Sequence, residues 1–135
     1  MSDRVFLDTN VLIYALARDD SRAQTATDLL AAGGVISVQV LNEFVSVARR
    51  KLRMDWAEVI EAVNRIRTLC ADVAPLTVAT HDTALRLAAR YGFGFYDAVI
   101  AASAQRAGCA VLYSEDFQDG QVIDGSLTVR NPFRP

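Results

Sequence analysis

Short apolar segments alternate with longer amphipathic segments along this chain, and this alternation restricts the fold more than any other feature of the sequence. Strand-like apolar runs lie at residues 4–7, 34–38, 72–76 and 110–114. The segments between them place apolar residues three or four positions apart, which is the period of an α-helix. Strands separated by helices predict a mainly parallel sheet with helices on both faces, so the chain is assigned to the α/β class.

Capping residues mark several helix boundaries. Asp55 with Glu58 three positions later predicts a capping box, and Thr77 predicts a second N-cap. Gly92 and Gly108 are expected at helix C-termini. Helices are predicted at residues 11–17, from Asp20 or Ser21 to 33, and at 40–52, 55–70, 77–91 and 96–107. A short edge strand is predicted at residues 122–124 or 127–129.

Length and composition limit the class of protein. A chain of 135 residues with 52% hydrophobic residues predicts one globular domain over residues 1–135. No apolar run approaches the roughly 18 residues of a membrane span, and no signal peptide is recognisable, so we expect a cytoplasmic protein. Cys70 and Cys109 lie in apolar surroundings and are expected to be buried free thiols. The net charge of −2 argues against bulk attraction to nucleic acid but not against a local basic face.

Four acidic residues are candidates for a shared site. Asp8 directly follows the first strand, Asp116 follows the last, and Glu43 and Asp97 lie early in apolar helices. Each has an ordinary structural explanation, such as a helix-dipole contact or a turn. However, sites in open α/β sheets form beyond the carboxyl ends of the strands, where this topology could gather all four. Clustered carboxylates repel one another unless a cation is present, and hard oxygen ligands favour Mg²⁺ or Mn²⁺.

Four stretches together resemble the PIN-domain ribonucleases, and within them the VapC-type toxins of toxin–antitoxin pairs. They are FLDTNVLIYA (6–15), VQVLNEF (38–44), YGFGFYDAVIAASAQRAGC (91–109) and VLYSEDFQDG (111–120). The resemblance implies a three-layer α/β/α sandwich around a central, mainly parallel sheet of four to five strands. It also implies a metal-dependent endoribonuclease that leaves a 5′-phosphate and a 3′-hydroxyl.

The resemblance assigns roles by position. Asp8, Glu43, Asp97 and Asp116 correspond to the acidic quartet of the family. Asp8 and Asp97 are expected to bind the metal directly, and Asp116 directly or through water. Glu43 is expected to orient or deprotonate the attacking water. The supporting residues are Asn10 and Ser114. Many relatives have a further Asp where this chain has Gln118, and whether Glu115 or Asp119 assists instead is left open.

The resemblance also implies partners: an RNA substrate, a cognate antitoxin and a second copy of the chain in a homodimer. The antitoxin is expected to occupy a groove between the helices at 11–17 and 40–52 and to direct an arginine at the four acids. A basic stretch, composed of Arg49, Arg50, Lys51 and Arg53, either guides RNA phosphates or only complements a helix dipole.

Two alternatives remain. A haloacid-dehalogenase-like phosphatase would share the strand followed by Asp8, but its second acid is replaced here by Asn10, and no downstream lysine motif is recognisable. A catalytically silent PIN-like binding module would usually lack one of the four acids, and all four are present.

Overall fold

A computed structural model describes residues 4–17 and 20–134, so residues 1–3, 18–19 and 135 of the predicted domain lie outside it. The strands are β1 (Val5–Leu7), β2 (Val35–Ser37), β3 (Asp72–Ala74), β4 (Val111–Tyr113), β5 (Val122–Ile123) and β6 (Leu127–Arg130). The helices are α1 (Thr9–Leu16), α2 (Ala23–Ala31), α3 (Val38–Arg50), α4 (Trp56–Leu69), α5 (Val78–Tyr91) and α6 (Phe95–Arg106).

The strands form one sheet in the order β3-β2-β1-β4-β6-β5, with every pair parallel except β5–β6. This confirms the α/β class. The sheet has six strands among the described residues, where the resemblance implied four to five. Both candidate edge segments pair with the sheet, because Asp124 and Gly125 adopt positive φ angles of 51° and 72° and close a tight hairpin between them.

Helix α6 is the most buried helix of the fold. Its residues 98–104 are all buried, and four of them are alanines whose small side chains allow close approach to the sheet and to α5. Cys70 and Cys109 are buried and free, as predicted. Within the described residues, no helix combines the length and apolarity needed to cross a bilayer.

Local hydrogen bonds explain where the observed helix boundaries differ from the predicted ones. Helix α1 begins two residues earlier than predicted because Asp8 is its N-cap. Helix α3 also begins two residues earlier, because the Ser37 hydroxyl accepts from the amide of Val40. The prediction that Asp20 or Ser21 caps α2 is wrong. The Asp20 carboxylate instead binds the backbone and guanidinium of Arg22, and α2 starts only at Ala23.

The capping box predicted at Asp55 with Glu58 is present on α4, and Thr77 is the N-cap of α5 as predicted. Thr77 also forms a capping box with Thr80, which was not predicted. Trp56, the first residue of α4, is exposed, and the guanidinium of Arg49 lies over its ring.

Asp124 joins the β5–β6 turn to helices α5 and α6. Its carboxylate accepts from Gln105 at 2.8 Å and Tyr91 at 3.2 Å, and pairs with Arg86 at 2.9 Å. These contacts, led by that with Arg86, lower the pKa of Asp124 from 3.8 to about 2. Because the folded pKa is below the unfolded value, the stabilisation is present above about pH 4 and is lost as the pH falls toward 2.

We therefore expect Asp124→Asn to lower the free energy of unfolding at pH 7 by about 1 kcal/mol, since the partner arginines are half exposed. Asparagine tolerates the positive φ angle of this position, so the substitution tests the charge and not the backbone. Urea unfolding at pH 7, 5, 4 and 3 should show the difference from wild type shrinking with acidity. Asp82→Asn, at an exposed position of α5, is the matched control. An equal loss in both variants, or a loss independent of pH, would contradict the prediction.

Candidate active site

Asp8 lies at the carboxyl end of β1 and is buried, with 2% of its surface exposed. Its carboxylate accepts a hydrogen bond from the Ser114 hydroxyl at 2.6 Å and from the backbone amide of Thr9 at 2.7 Å. Burial raises the pKa of Asp8 from 3.8 to about 7, against the opposing effect of these two hydrogen bonds. The nearby charges of Asp116 and Glu43 raise it further. This carboxylate is therefore only partly compensated by the protein.

Ser114 connects Asp8 to the segment that follows β4. Its hydroxyl donates to Asp8 and accepts from the backbone amide of Asp116 at 3.0 Å. The side-chain amide of Asn10 donates to the Asp116 carboxylate at 3.2 Å and lies 3.5 Å from the Ser114 hydroxyl. The Asn10 carbonyl oxygen, Oδ1, is buried and has no hydrogen-bond partner among the described residues. The supporting residues predicted from the sequence thus do contact the acids.

Glu43 reaches the same region from α3. Its carboxylate accepts from the Thr9 hydroxyl at 2.9 Å and from the Gln39 amide, one helical turn earlier, at 3.1 Å. The side chain is half-buried. Thr9 therefore links two of the acids, because its backbone amide binds Asp8 and its hydroxyl binds Glu43.

Asp97 lies in the first turn of α6 and is half-buried. The pKa of Asp97 is raised, mainly because the carboxyl group is partly buried and also because the charges of Asp116 and Glu43 lie nearby. No hydrogen bond to its carboxylate is formed by any residue that the structure describes. Gly94, three residues earlier, is the N-cap of α6, and a side-chain carbon at that position would lie in ordinary van der Waals contact with the Asp97 carboxylate, at 4.0 Å.

The four predicted acids are therefore electrostatically coupled, but they are held apart. Within residues 4–17 and 20–134, no three Asp, Glu, His or Cys side chains are close enough together to enclose a metal ion. Hydrogen bonds from Thr9 and Gln39 hold the Glu43 carboxylate, and a hydrogen bond from Asn10 holds that of Asp116. The oxygen atoms present nevertheless suit a hard divalent cation, because they are those of carboxylates, of which Asp8 and Asp97 have raised pKa values, and of one unpartnered amide.

Two nearby acids have other partners. Glu115 accepts a short hydrogen bond from the Tyr14 hydroxyl and lies 3.6 Å from the guanidinium of Arg22, so it ties α1 and the start of α2 to the β4 end. Asp119 accepts from the backbone amide of Asn131 at 2.8 Å. These contacts give both residues structural roles, and the exposed Gln118 contributes no acid.

Sequence reasoning missed Thr9 and Gln39. A usable signal was present for each. Thr9 is the first helical residue after an aspartate N-cap, and Gln39 lies four positions before Glu43, the spacing at which helix side chains meet. Tyr14 donates to Glu115, about 100 positions later in the chain, and accepts from Arg22. No local sequence pattern predicts a contact between such distant residues.

An open cleft of about 400 Å³ lies between α1 and α3 and is lined by two of the four acids, Glu43 and Asp116. Its lining also includes Asn10 and the basic residues Arg50 and Lys51. The basic stretch predicted from the sequence is therefore divided. Arg49 donates to the backbone carbonyl of Met54, and Arg53 is an exposed residue with a positive φ angle outside the cleft lining.

A family model described as the PIN domain matches residues 5–118, which include all four acids. The chain belongs to the PIN-domain family. The matched region covers β1 to the segment after β4, and the β5–β6 hairpin follows it. No curated protein sequence is significantly similar to the chain.

Several solved structures share this PIN fold. A toxin–antitoxin complex from Klebsiella pneumoniae has a TM-score of 0.72 at 20% identity, over 97% of this chain and 99% of that one. VapC20 from Mycobacterium tuberculosis, described as a toxin that cleaves the sarcin–ricin loop, has a TM-score of 0.68 at 24% identity, over 83% and 89%. DNA-bound VapBC from Salmonella typhimurium has a TM-score of 0.68 at 20% identity, over 94% and 96%.

The burial of Asp8 gives a prediction about stability without metal. An acid whose folded pKa is raised from 3.8 to about 7 destabilises the fold once it ionises, so stability falls as the pH rises across that range. We expect Asp8→Asn in EDTA to unfold several degrees above wild type at pH 8 and to lose most of this advantage at pH 5. Thermal unfolding followed by circular dichroism measures this difference.

Asp116→Asn is the matched control, because Asp116 is exposed and its charge carries little desolvation cost. The explanation fails if Asp8→Asn unfolds below wild type at both pH values, or if the control gains as much.

Proposed function

We propose that this PIN-domain protein is a metal-dependent endoribonuclease and the toxin of a VapBC-type toxin–antitoxin pair, acting in the cytoplasm. The observation that carries the proposal is the coupling of Asp8, Glu43, Asp97 and Asp116 at the carboxyl edge of the sheet. A buried carboxylate that the protein only partly compensates is the ligand type expected at a divalent-cation site. The shared fold with toxins supports the biological role.

The proposed cation is Mg²⁺ or Mn²⁺, held by Asp8, Asp97 and Asp116. When bound, it would lower the pKa of a water molecule and neutralise phosphate charge during phosphodiester hydrolysis. In this arrangement Ser114 and Thr9 fix the orientation of the Asp8 carboxylate. Asn10 positions Asp116 through its amide nitrogen.

We propose Glu43 as the residue that orients or deprotonates the attacking water. Its two carboxylate oxygens are each fixed by one donor, from Thr9 and Gln39, which orients the side chain while leaving lone pairs free to accept a proton from water. The products carry a 5′-phosphate and a 3′-hydroxyl. The only histidine of the sequence, His81, has no part in this scheme; its ring packs against that of Phe95.

We expect purified protein to cleave RNA with Mg²⁺ or Mn²⁺ and not with EDTA, and Asp97→Asn to abolish cleavage because it removes a ligand. Ser114→Ala should retain cleavage reduced about 10–100-fold, since its hydroxyl orients a ligand without being one. The assay follows fragments of labelled RNA on denaturing gels, together with metal-induced changes in melting temperature. Mn²⁺ should stabilise wild type by binding only the native state, and should stabilise Asp97→Asn less.

Full cleavage by Asp97→Asn prepared identically would indicate a contaminating nuclease and overturn the assignment. Metal stabilisation without any RNA cleavage would favour a silent PIN-like binding module. Hydrolysis of p-nitrophenyl phosphate with no action on RNA would favour the phosphatase alternative.

The proposed toxin requires an inhibitor. We propose a small antitoxin whose apolar residues enter the α1–α3 cleft and whose arginine pairs with the carboxylates, since a guanidinium can engage two of them at once. The apolar part of the cleft lining, which includes Ile13 and Val47, suits such a segment. The similarity to toxin–antitoxin complexes supports this partner, and we propose a homodimeric toxin within the complex.

Co-expression with the neighbouring gene product should give a stable, inactive complex. Substitution of one arginine in the C-terminal half of that partner should restore RNA cleavage without dissociating the complex, as measured by gel assay and size-exclusion chromatography. If no arginine substitution restores cleavage, inhibition acts by steric exclusion of RNA instead.

A further inference from the structure

Two cations share the cleft with the acids. Arg50 ends α3 and Lys51 follows it, and both line the cleft that contains Glu43 and Asp116. In the part of the chain that the structure describes, neither basic side chain forms an ion pair or a hydrogen bond. The cleft lining therefore contains carboxylates and cations that do not pair with one another.

Helix α3 supplies both an acid and a cation of the cleft lining, and it sets the distance between them. Glu43, Val47 and Arg50 lie on one face of α3, at spacings of four and three residues. Seven residues of α-helix span about 10 Å, so the guanidinium and the Glu43 carboxylate are attached well apart along the same wall. A phosphate at the acids and a second phosphate at the cations could occupy this cleft together.

The ordinary explanation for basic residues at this position is the helix dipole, which favours cations in the last turn. That explanation applies equally to Arg49. However, Arg49 has contacts within the fold. Its guanidinium donates to the Met54 carbonyl, and its central carbon lies 4.5 Å from the centroid of the Trp56 ring. Arg50 and Lys51 have no such contacts among the described residues, and both open onto the proposed catalytic cleft.

We infer that Arg50 and Lys51, here called the basic pair, form a subsite for a phosphate of the RNA strand that flanks the scissile one. The inference rests on the proposed nuclease function and deepens it. Without such a subsite, the acids would repel the neighbouring phosphates of a bound strand, and the net charge of −2 would not offset that repulsion. A phosphate, and not an acidic peptide, is the occupant that the proposed nuclease site favours, because an RNA strand held at the acids has further phosphates directly next to the scissile one.

The test removes charge from the protein and, separately, from the RNA. The protein variant is Arg50→Ala with Lys51→Ala, which removes both positive charges of the basic pair. In a labelled oligoribonucleotide, a neutral methylphosphonate replaces one phosphate at a time around a mapped cleavage site. We expect the protein variant to raise KM about tenfold with kcat little changed, equivalent to about 1.4 kcal/mol. It should also reduce the salt dependence of binding, with the slope changing by about 0.7 for each phosphate that the variant no longer neutralises.

One methylphosphonate position should reproduce this cost in wild type and add nothing in the variant, because both changes remove the same interaction. The matched control is Arg67→Ala with Arg106→Ala. It removes the same charge from the last turns of α4 and α6, outside the cleft lining. A KM effect no larger than that of the control would overturn the inference while leaving the nuclease assignment intact. Strictly additive effects at every methylphosphonate position would also overturn it, since the cations would then act only through a diffuse field.

Two further outcomes separate the inference from the proposed function. If wild type cleaves no RNA, fluorescence anisotropy with the same oligonucleotides in EDTA applies the same comparison to Kd, and the absence of any RNA binding would overturn both proposals. If the basic-pair variant cleaves RNA normally but has reduced affinity for the antitoxin, the pair recognises protein, and the inference is wrong.

Discussion

The hydrogen bond between Ser114 and Asp8 is the contact on which the arrangement of the site depends. It joins the end of β4 to the end of β1, two adjacent parallel strands, and it holds a carboxylate that is almost fully shielded from water. The same carboxylate caps α1, so the helix starts immediately at the edge of the sheet. Asn10 and Thr9 are fixed by that start, and through them Asp116 and Glu43 are held near Asp8.

Much of this fold is predictable because its determinants are local. Capping boxes at Asp55 and Thr77 and the alternation of strands and helices all act within a few residues, and the predicted helices occur in the predicted order. The wrong boundary lies where a side chain could form hydrogen bonds with more than one neighbour. Asp20 looked like an N-cap, but Arg22 offers it a charged donor two residues away, and the helix begins later.

The candidate site is predictable to a different degree. The positions of Asp8 and Asp116 follow from the topology, because parallel strands bring their carboxyl ends to one edge, and α3, which carries Glu43, begins directly after β2 at that edge. Asp97 lies in α6, which follows another helix, so the strand ends alone do not predict its position. What surrounds the acids does not follow from the topology. The unpartnered oxygen of Asn10 and the division of the basic stretch between Arg49 and the basic pair depend on side-chain packing between distant segments, which residue type and spacing do not specify.

The burial of α6 limits how the acids can move. Residues 98–104 are enclosed on every side, so rotating this helix would disrupt the core, and the backbone of Asp97 is fixed with it. Asp8 is fixed by its burial and by two hydrogen bonds. The carboxylates of Glu43 and Asp116 are restrained only by neighbouring polar side chains, and that of Asp97 accepts no hydrogen bond from the described residues. Any tightening of this site around a bound group is therefore asymmetric, because Asp8 keeps the position that the core gives it while the other three acids can adjust their rotamers.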